Sequence, residues 1–306
     1  MNRRQVLQRA AALTVSGAPF MAARASRASD ASSPQLAEPA PLRPPATGPI
    51  PVAVVLSRGA VVIDFCGPWE VFSNVATTGH EAPAFQLYTV AESTAPLRAS
   101  GGLQVVPDFS FATAPAPRVV VIPAQNGAGT AALEWLLHVS RSTDLTMSVC
   151  TGAFVLARTG LLNGKSATTH HSAYTELAMA FPDIAVRRGA RFVEAGNLAT
   201  AGGLSSGIDL SLRVVERYFG REVARQTALY MEYQGQGWLD PNSNQAFRAH
   251  RVLSAGQPFC PVCEMDVDPS HAPHSRLRGQ TYYFCMPEHK AAFDSAPQKY
   301  PAAMAS

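Results

Sequence analysis

Two groups of residues in this chain have the types and spacing to do chemistry. In "LTMSVCTGAF", Cys150 follows an apolar run that reads as a buried strand and precedes Thr151 and Gly152, which open a run of helical period. A strand that enters a helix through a tight turn presents its turn residue at the carboxyl edge of the sheet, where open α/β sheets hold ligands. Unpaired N–H groups and the positive helix end then lie near the sulfur and favour thiolate, a setting that brings cysteine from about 8.5 down to roughly 3.5–7.5. The same N–H groups could hold an oxyanion. In "VVIDFCGPWEVF", Asp64 closes a second apolar strand, with Gly67-Pro68 opening the next helix. If both strands are central in one parallel sheet, Asp64 and Cys150 leave the same edge. A carboxyl facing a thiolate is raised in pKa, so the two share a proton that can pass to substrate. The purely structural alternative makes Asp64 a helix N-cap and Cys150 a small buried hydrophobe.

The second group lies near the carboxyl terminus. Cys260, Cys263, Cys285 and His289 read C-x2-C, then 21 intervening residues, then C-x3-H. Soft ligands at those spacings close a tetrahedral Cys3His site, the usual geometry of structural zinc. A disulfide is the rival, most readily Cys260 or Cys263 to Cys285. Either would serve a segment of under ~45 residues, which buries too little apolar surface to be stable alone. His271 and His274 are spare donors expected to be solvated. Five cysteines are an odd number, so an oxidising compartment leaves at least one thiol unpaired within the chain. Cys66 could pair with Cys150, but reads better as a small, buried apolar residue.

The elements that must position these groups follow from the apolar pattern. "IPVAVVL", "AVVIDF", "FQLYTV", "LQVVPD", "RVVVIPA" and "LTMSVC" suit short strands buried on both faces. "GTAALEWLLHVSRST", "SAYTELAMAF" and "GIDLSLRVVERYFGREVARQTALYMEY" repeat apolar residues at helical spacing. Alternation of the two predicts an α/β, doubly wound, flavodoxin-like domain with a mostly parallel sheet, followed by a small metal-stabilised α+β module. The expected organisation is an export signal over 1–25, a Pro/Ala/Ser-rich linker over 26–49, the α/β domain over 50–235, a connector over 236–257 and the module over 258–301.

The amino terminus reads as an address. Arg3-Arg4 precede an apolar run ending at Ala23-Arg24-Ala25, an A-x-A cleavage pattern. The run resembles a twin-arginine signal, which delivers folded proteins to the periplasm. It is too short to span a membrane, and no later segment is long and apolar enough. Removing the four arginines of residues 1–25 takes the formal charge from +3 to −1, so nothing supports a general attraction to nucleic acid. The glycines of "AGGLSSG" lack dinucleotide spacing.

Three stretches, "DFCGPWEVF", "SVCTGAFVLARTGLLNGKSATTHH" and "LATAGGLSSGIDLSLRVVERYFG", together resemble the ThiJ/PfpI superfamily over roughly residues 50–235. The Asp of "DFCGP" and the Thr after the cysteine look most like isocyanide hydratases and the sensor domains of AraC-type regulators. The resemblance implies Cys150 as nucleophile, Asp64 as its acid/base partner and Thr151 as a donor at the elbow. It further implies water addition to a small carbon–nitrogen substrate, no organic cofactor, and a homodimer. The family's Gly-rich turn, which supplies a second oxyanion N–H, is replaced by Ala124-Gln125-Asn126, so Gln125 and Asn126 become pocket candidates. His170 resembles the pocket histidine of some members, with His171 less so. "PVCEMDVDP", "GQTYYFC" and "AAFDSAPQKY" resemble a YHS domain, a family associated with heavy metals, which implies zinc or copper and adds Met265 as a possible thioether ligand. A non-catalytic sensor of a small molecule or metal is the alternative function.

Overall fold

The computed structural model describes residues 39–77, 82–126, 128–248, 258–262, 267–284 and 287–300. The expected export signal lies outside the described residues, as do Cys263, Met265 and Cys285.

In chain order the α/β domain runs β1 (Ile50–Val55), α1 (Val62–Ser73), β2 (Phe85–Ala91), a short antiparallel pair β3 (Leu97–Arg98) and β4 (Gln104–Val105), β5 (Phe109–Ser110), β6 (Val119–Ile122), α2 (Thr130–Val139), β7 (Leu145–Val149) and α3 (Gly152–Arg158). It continues with β8 (Ser166–Ala167), α4 (Tyr174–Ala180), β9 (Ala185–Val186), β10 (Phe192–Ala195), β11 (Leu198–Ala201), α5 (Ser206–Phe219) and α6 (Arg221–Tyr230). Seven strands form one sheet in the order β10-β11-β7-β6-β1-β2-β5, parallel except for the β10–β11 hairpin.

Both faces of that sheet are covered, which is why its strands are apolar at nearly every position. Val52 and Val54 of β1 pack into one layer with Phe65 and Phe72 of α1 and Leu210 and Val214 of α5. Ala53 and Val55 point the other way, to Leu136 of α2, Leu156 of α3 and Leu177 of α4. This is the doubly wound, flavodoxin-like architecture expected.

Three local expectations are corrected. "AVVIDF" is not a strand: Asp64 lies in the first turn of α1, and Pro68 sits inside that helix rather than opening it. The buried set Asp64, Phe65, Pro68, Val71 and Phe72 has helical spacing, and burial of that stripe overrides the β preference of Val61, Val62 and Ile63. "LQVVPD" contributes only the short strand β4. The long helical run after β11 breaks at Gly220, whose φ of 89° ends α5 and starts α6.

Beyond α6, the connector forms two single turns, Gly237–Leu239 and Gln245–Phe247. The last described segment holds a hairpin, β12 (His274–Leu277) and β13 (Gln280–Tyr283), then α7 (Pro287–Ser295). Cys260, Val262, Phe284, Phe293 and Tyr300 form its small core.

The turn from β7 into α3 depends on one glycine. A Cβ on Gly152 would lie 2.2 Å from the Ile122 carbonyl oxygen and 2.8 Å from that of Pro123, so α3 approaches the end of β6 as no other residue allows. Gly152→Ala is expected to lower stability by about 3 kcal/mol or more, whereas Gly129→Ala, with nothing within 4 Å, should change it by less than about 0.5 kcal/mol. Denaturant midpoints of the two variants check this.

Candidate active site

Cys150 ends β7 with φ of 58°, an uncommon conformation for a residue with a side chain. Its own N–H donates to the carbonyls of Ala201 (3.2 Å) and Gly202 (2.9 Å), and its carbonyl accepts from Thr169 Oγ1 (2.9 Å). The backbone is therefore held by the end of β11 and by the loop after β8. The Asp64 carboxyl and the Thr151 and Leu204 N–H groups lie near enough to the sulfur to act on its ionisation.

Asp64 is fully buried. Its Oδ2 accepts the Ala124 N–H at 3.1 Å, while the Ala124 carbonyl accepts the Val61 N–H at 2.8 Å. This reciprocal pair ties the first turn of α1 to the loop after β6, next to the strand bearing Cys150. Asp64 Oδ1 is buried with no hydrogen-bond partner among the described residues, and the carboxyl lies near enough to the Cys150 thiol for each to shift the other's ionisation. Close packing sets that distance: a Cβ on Gly67 would meet Ile208, and one on Gly207 would meet Val149 and Pro68. The glycines let α1 and α5 converge over the thiol.

Charge decides the resting state. Burial pushes the Asp64 carboxyl up to about 6, opposed by the Ala124 N–H and the thiol. Burial, then the Asp64 charge, pushes the Cys150 thiol up to about 11, against the Thr151 and Leu204 N–H groups. The expected depression of the thiol is thus corrected: α3 has only seven residues, and two donors do not offset desolvation plus a neighbouring carboxylate. Between these values the pair holds one proton.

The other candidates divide. The N–H groups that act on the sulfur's ionisation are those of Thr151 and of Leu204 in the loop after β11, with none from the 124–126 turn among them. Ala124 spends its N–H on Asp64, and the Asn126 N–H donates to the Arg58 carbonyl at 3.1 Å. Gln125 accepts from Ser57 Oγ at 2.8 Å and donates to the Val55 carbonyl at 3.3 Å, so it braces the loop after β1. His170 caps its own turn through Ser172, and its ring edge rests where a Cβ of Gly203 would lie. It therefore borders the Leu204 loop, and burial, followed by the charge of His171, lowers its pKa. His171 lies between the rings of His170 and Phe247. Cys66 is half-buried against the core, and neither it nor Cys150 is in a disulfide. Leu204 had no sequence signal: its φ of 43° belongs to a residue type that does not announce such a conformation.

In the last segment, Cys260 is buried and its Sγ lies 3.6 Å from His289 Nδ1. Two ligands of one tetrahedral zinc, at about 2.3 Å for sulfur and 2.0–2.1 Å for nitrogen, would lie about 3.6 Å apart. The same separation is a sulfur–nitrogen hydrogen bond, and no cluster of three or more such ligands occurs among the described residues; the expected ligands Cys263 and Cys285 and the possible ligand Met265 are outside the described residues. His271 and His274 are exposed, as expected.

A raised carboxyl is a statement about stability. The folded chain holds its proton on Asp64 more tightly than the unfolded chain, so this group's contribution is full below about pH 4 and lost as pH rises through about 6. Asp64→Asn, which can still accept from Ala124, should therefore be more stable than wild type at pH 7 by up to about 3 kcal/mol, with the difference vanishing near pH 4. Thermal melts of both proteins across that range check the sign.

The profile of the DJ-1/PfpI family matches residues 51–217. The chain is 33% identical to the isonitrile hydratase of Pseudomonas putida over 176 residues, 56% of this chain and 73% of that one. It is 29% identical over 130 residues to the HTH-type transcriptional regulator GbdR of Pseudomonas aeruginosa, 41% of this chain and 35% of that one. Among solved structures, a THiJ/PfpI family protein from Pseudomonas syringae superposes with a TM-score of 0.55 at 27% identity, over 61% of this chain and 76% of that one. Drosophila melanogaster DJ-1beta superposes with a TM-score of 0.54 at 21% identity, over 61% of this chain and all of that one. With more than half of its length matched by the family profile, this chain belongs to the DJ-1/PfpI family.

Proposed function

We propose that this protein is a cysteine-dependent hydratase of isonitriles or closely related small carbon–nitrogen compounds. The observation that carries the reading is the buried Asp64 carboxyl close to the Cys150 thiol, at a strand-to-helix turn where the Thr151 and Leu204 N–H groups lie near the same sulfur. The similarity to an isonitrile hydratase along 73% of that protein supports it.

The pair's single proton suits this chemistry. Sulfur attacks the terminal carbon of R–NC, a sulfur–carbon bond forms, and the shared proton passes by way of Asp64 to that carbon, giving a thioimidate. Water then adds to the same carbon while a proton reaches nitrogen through Asp64. The carbon–sulfur bond breaks, sulfur recovers its proton, and an N-formamide leaves. No hydride or phosphoryl group moves, so no organic cofactor is required. A thiol that rests protonated attacks only as Asp64 takes its proton, which makes the carboxyl indispensable. Cys150→Ala and Asp64→Asn are each expected to reduce formamide formation from a panel of isonitriles at least about 10³-fold, followed by chromatography of the product. Wild-type protein inert toward the whole panel would contradict the reading.

A second reading, a sensor that binds a small molecule without turnover, is favoured by one observation: the similarity to transcriptional regulators such as GbdR. Saturable binding with no product would support it.

The carboxyl-terminal segment is proposed to be a YHS-like module holding zinc or copper through Cys260, Cys263, Cys285 and His289, with Met265 as a further thioether. The Cys260–His289 separation of 3.6 Å supports this. The metal would crosslink a core of few apolar residues. Metal analysis is expected to find about one ion per chain, lost in His289→Ala; a Cys260 or Cys263 disulfide to Cys285 in the mass spectrum would overturn it. The protein is further proposed to be exported to the periplasm by its twin-arginine-like signal, to act as a homodimer free of membrane after signal removal, and not to bind nucleic acid.

A further inference from the structure

The loop after β11 is tied to Cys150, whose N–H donates to the Gly202 carbonyl at 2.9 Å. It brings the Leu204 N–H near the sulfur in a backbone conformation, φ of 43°, that costs a leucine free energy, so its surroundings must hold it there. Arg191 does so from both ends of the loop. Its carbonyl accepts the Gly202 N–H at 2.9 Å, and its Nη2 donates to Ser205 Oγ at 3.0 Å. Leu204 lies between these two anchors.

Arg191 is fixed in turn. Its Nε donates to Asp209 Oδ2 at 2.6 Å, and Tyr233 Oη donates to the same oxygen at 3.0 Å. Asp209 is buried and Arg191 half-buried, their side chains 1% and 14% exposed. A buried ion pair is weak evidence of stability and is better understood as fixing a geometry. The connector closes the arrangement. The Arg191 N–H donates to the Pro241 carbonyl at 2.7 Å, and Arg191 Nη1 donates to Asn244 Oδ1 at 3.3 Å. Gly237 approaches so near that a Cβ would lie 2.6 Å from Asp209 Oδ2, and the Asn244 amide would meet a Cβ on Gly202 at 2.9 Å. Pro241, Asn244 and Gly237 all lie beyond the residues matched by the family profile.

We propose that Arg191 and Asp209 are positioning residues that aim the Leu204 N–H at Cys150, and that Asn244 of the connector completes this clamp, so that the segment after the family domain sets the reactivity of the thiol. The proposal rests on Cys150 as the reacting thiol, but its consequence is read from the thiol itself and needs no turnover. The guanidinium reaches Asp209, Ser205 and Asn244 at once because its donors form a planar fork; a lysine keeps the charge and cannot make all three bonds.

The test is the pH dependence of iodoacetamide alkylation at Cys150, followed by peptide mass spectrometry, in full-length wild type, Arg191→Lys, Asn244→Ala and, as a control, Arg225→Ala in an exposed ion pair. Loss of one donor to the thiolate should move the Cys150 midpoint up by about one pH unit in Arg191→Lys, and in the same direction by less in Asn244→Ala. Arg225→Ala should match wild type. Because Arg191→Lys retains a charge for Asp209, it guards against the collapse that a neutral substitution risks. Folded variants with the wild-type midpoint would overturn the proposal, and so would a lowered melting temperature with no change in midpoint, since the network would then serve stability alone. An unreactive substrate panel leaves these outcomes unaffected and counts only against the proposed hydratase activity.

Discussion

A carboxyl and a thiol buried together with one proton between them is the constraint on which the rest of this site depends. Neither Asp64 nor Cys150 can be ionised without desolvation cost, and both cannot be ionised at once without repulsion. The surrounding backbone does not remove that conflict; it limits it, with one N–H bonded to Asp64 and two near the sulfur. The proton is therefore held between the two groups rather than lost to solvent.

Holding the two groups in contact shapes the fold around them. β7 delivers Cys150 at the sheet's carboxyl edge, and α1 delivers Asp64 from its first turn. Their approach requires small residues wherever backbones converge: Gly152 beneath the Ile122 carbonyl, and Gly67 and Gly207 where α1 meets α5. Cys150 and Leu204 both adopt positive φ. Such conformations persist where packing and hydrogen bonds determine them from several directions, as the Thr169, Ala201, Gly202 and Arg191 contacts do.

The reading of the sequence succeeded where long-range packing writes a clear local pattern. Two-sided burial made β1, β2, β6 and β7 visible as apolar runs, and the strand-turn-helix around Cys150 followed from glycine placement. Asp64 does lie near Cys150, but not from the end of a strand: "VVIDF" has the residue types of a strand, yet the chain turns at Gly59 and winds into α1 to bury Phe65 and Phe72. The thiol's pKa was misjudged because helix-end donors are legible in a sequence while desolvation depends on what closes over the site. Leu204, Arg191 and Asn244 were missed because a backbone donor has no residue-type signature, and the contacts that aim it join segments separated by as many as 53 positions.

The central claim is that Asp64 and Cys150 share one proton, each charge suppressing the other. Titration of the Cys150 thiolate by ultraviolet absorbance, taken as the difference from Cys150→Ala, tests it most directly when wild type is compared with Asp64→Asn. Removing the carboxylate charge should lower the thiol midpoint from its raised wild-type position. A midpoint that stays in place or rises would contradict the account.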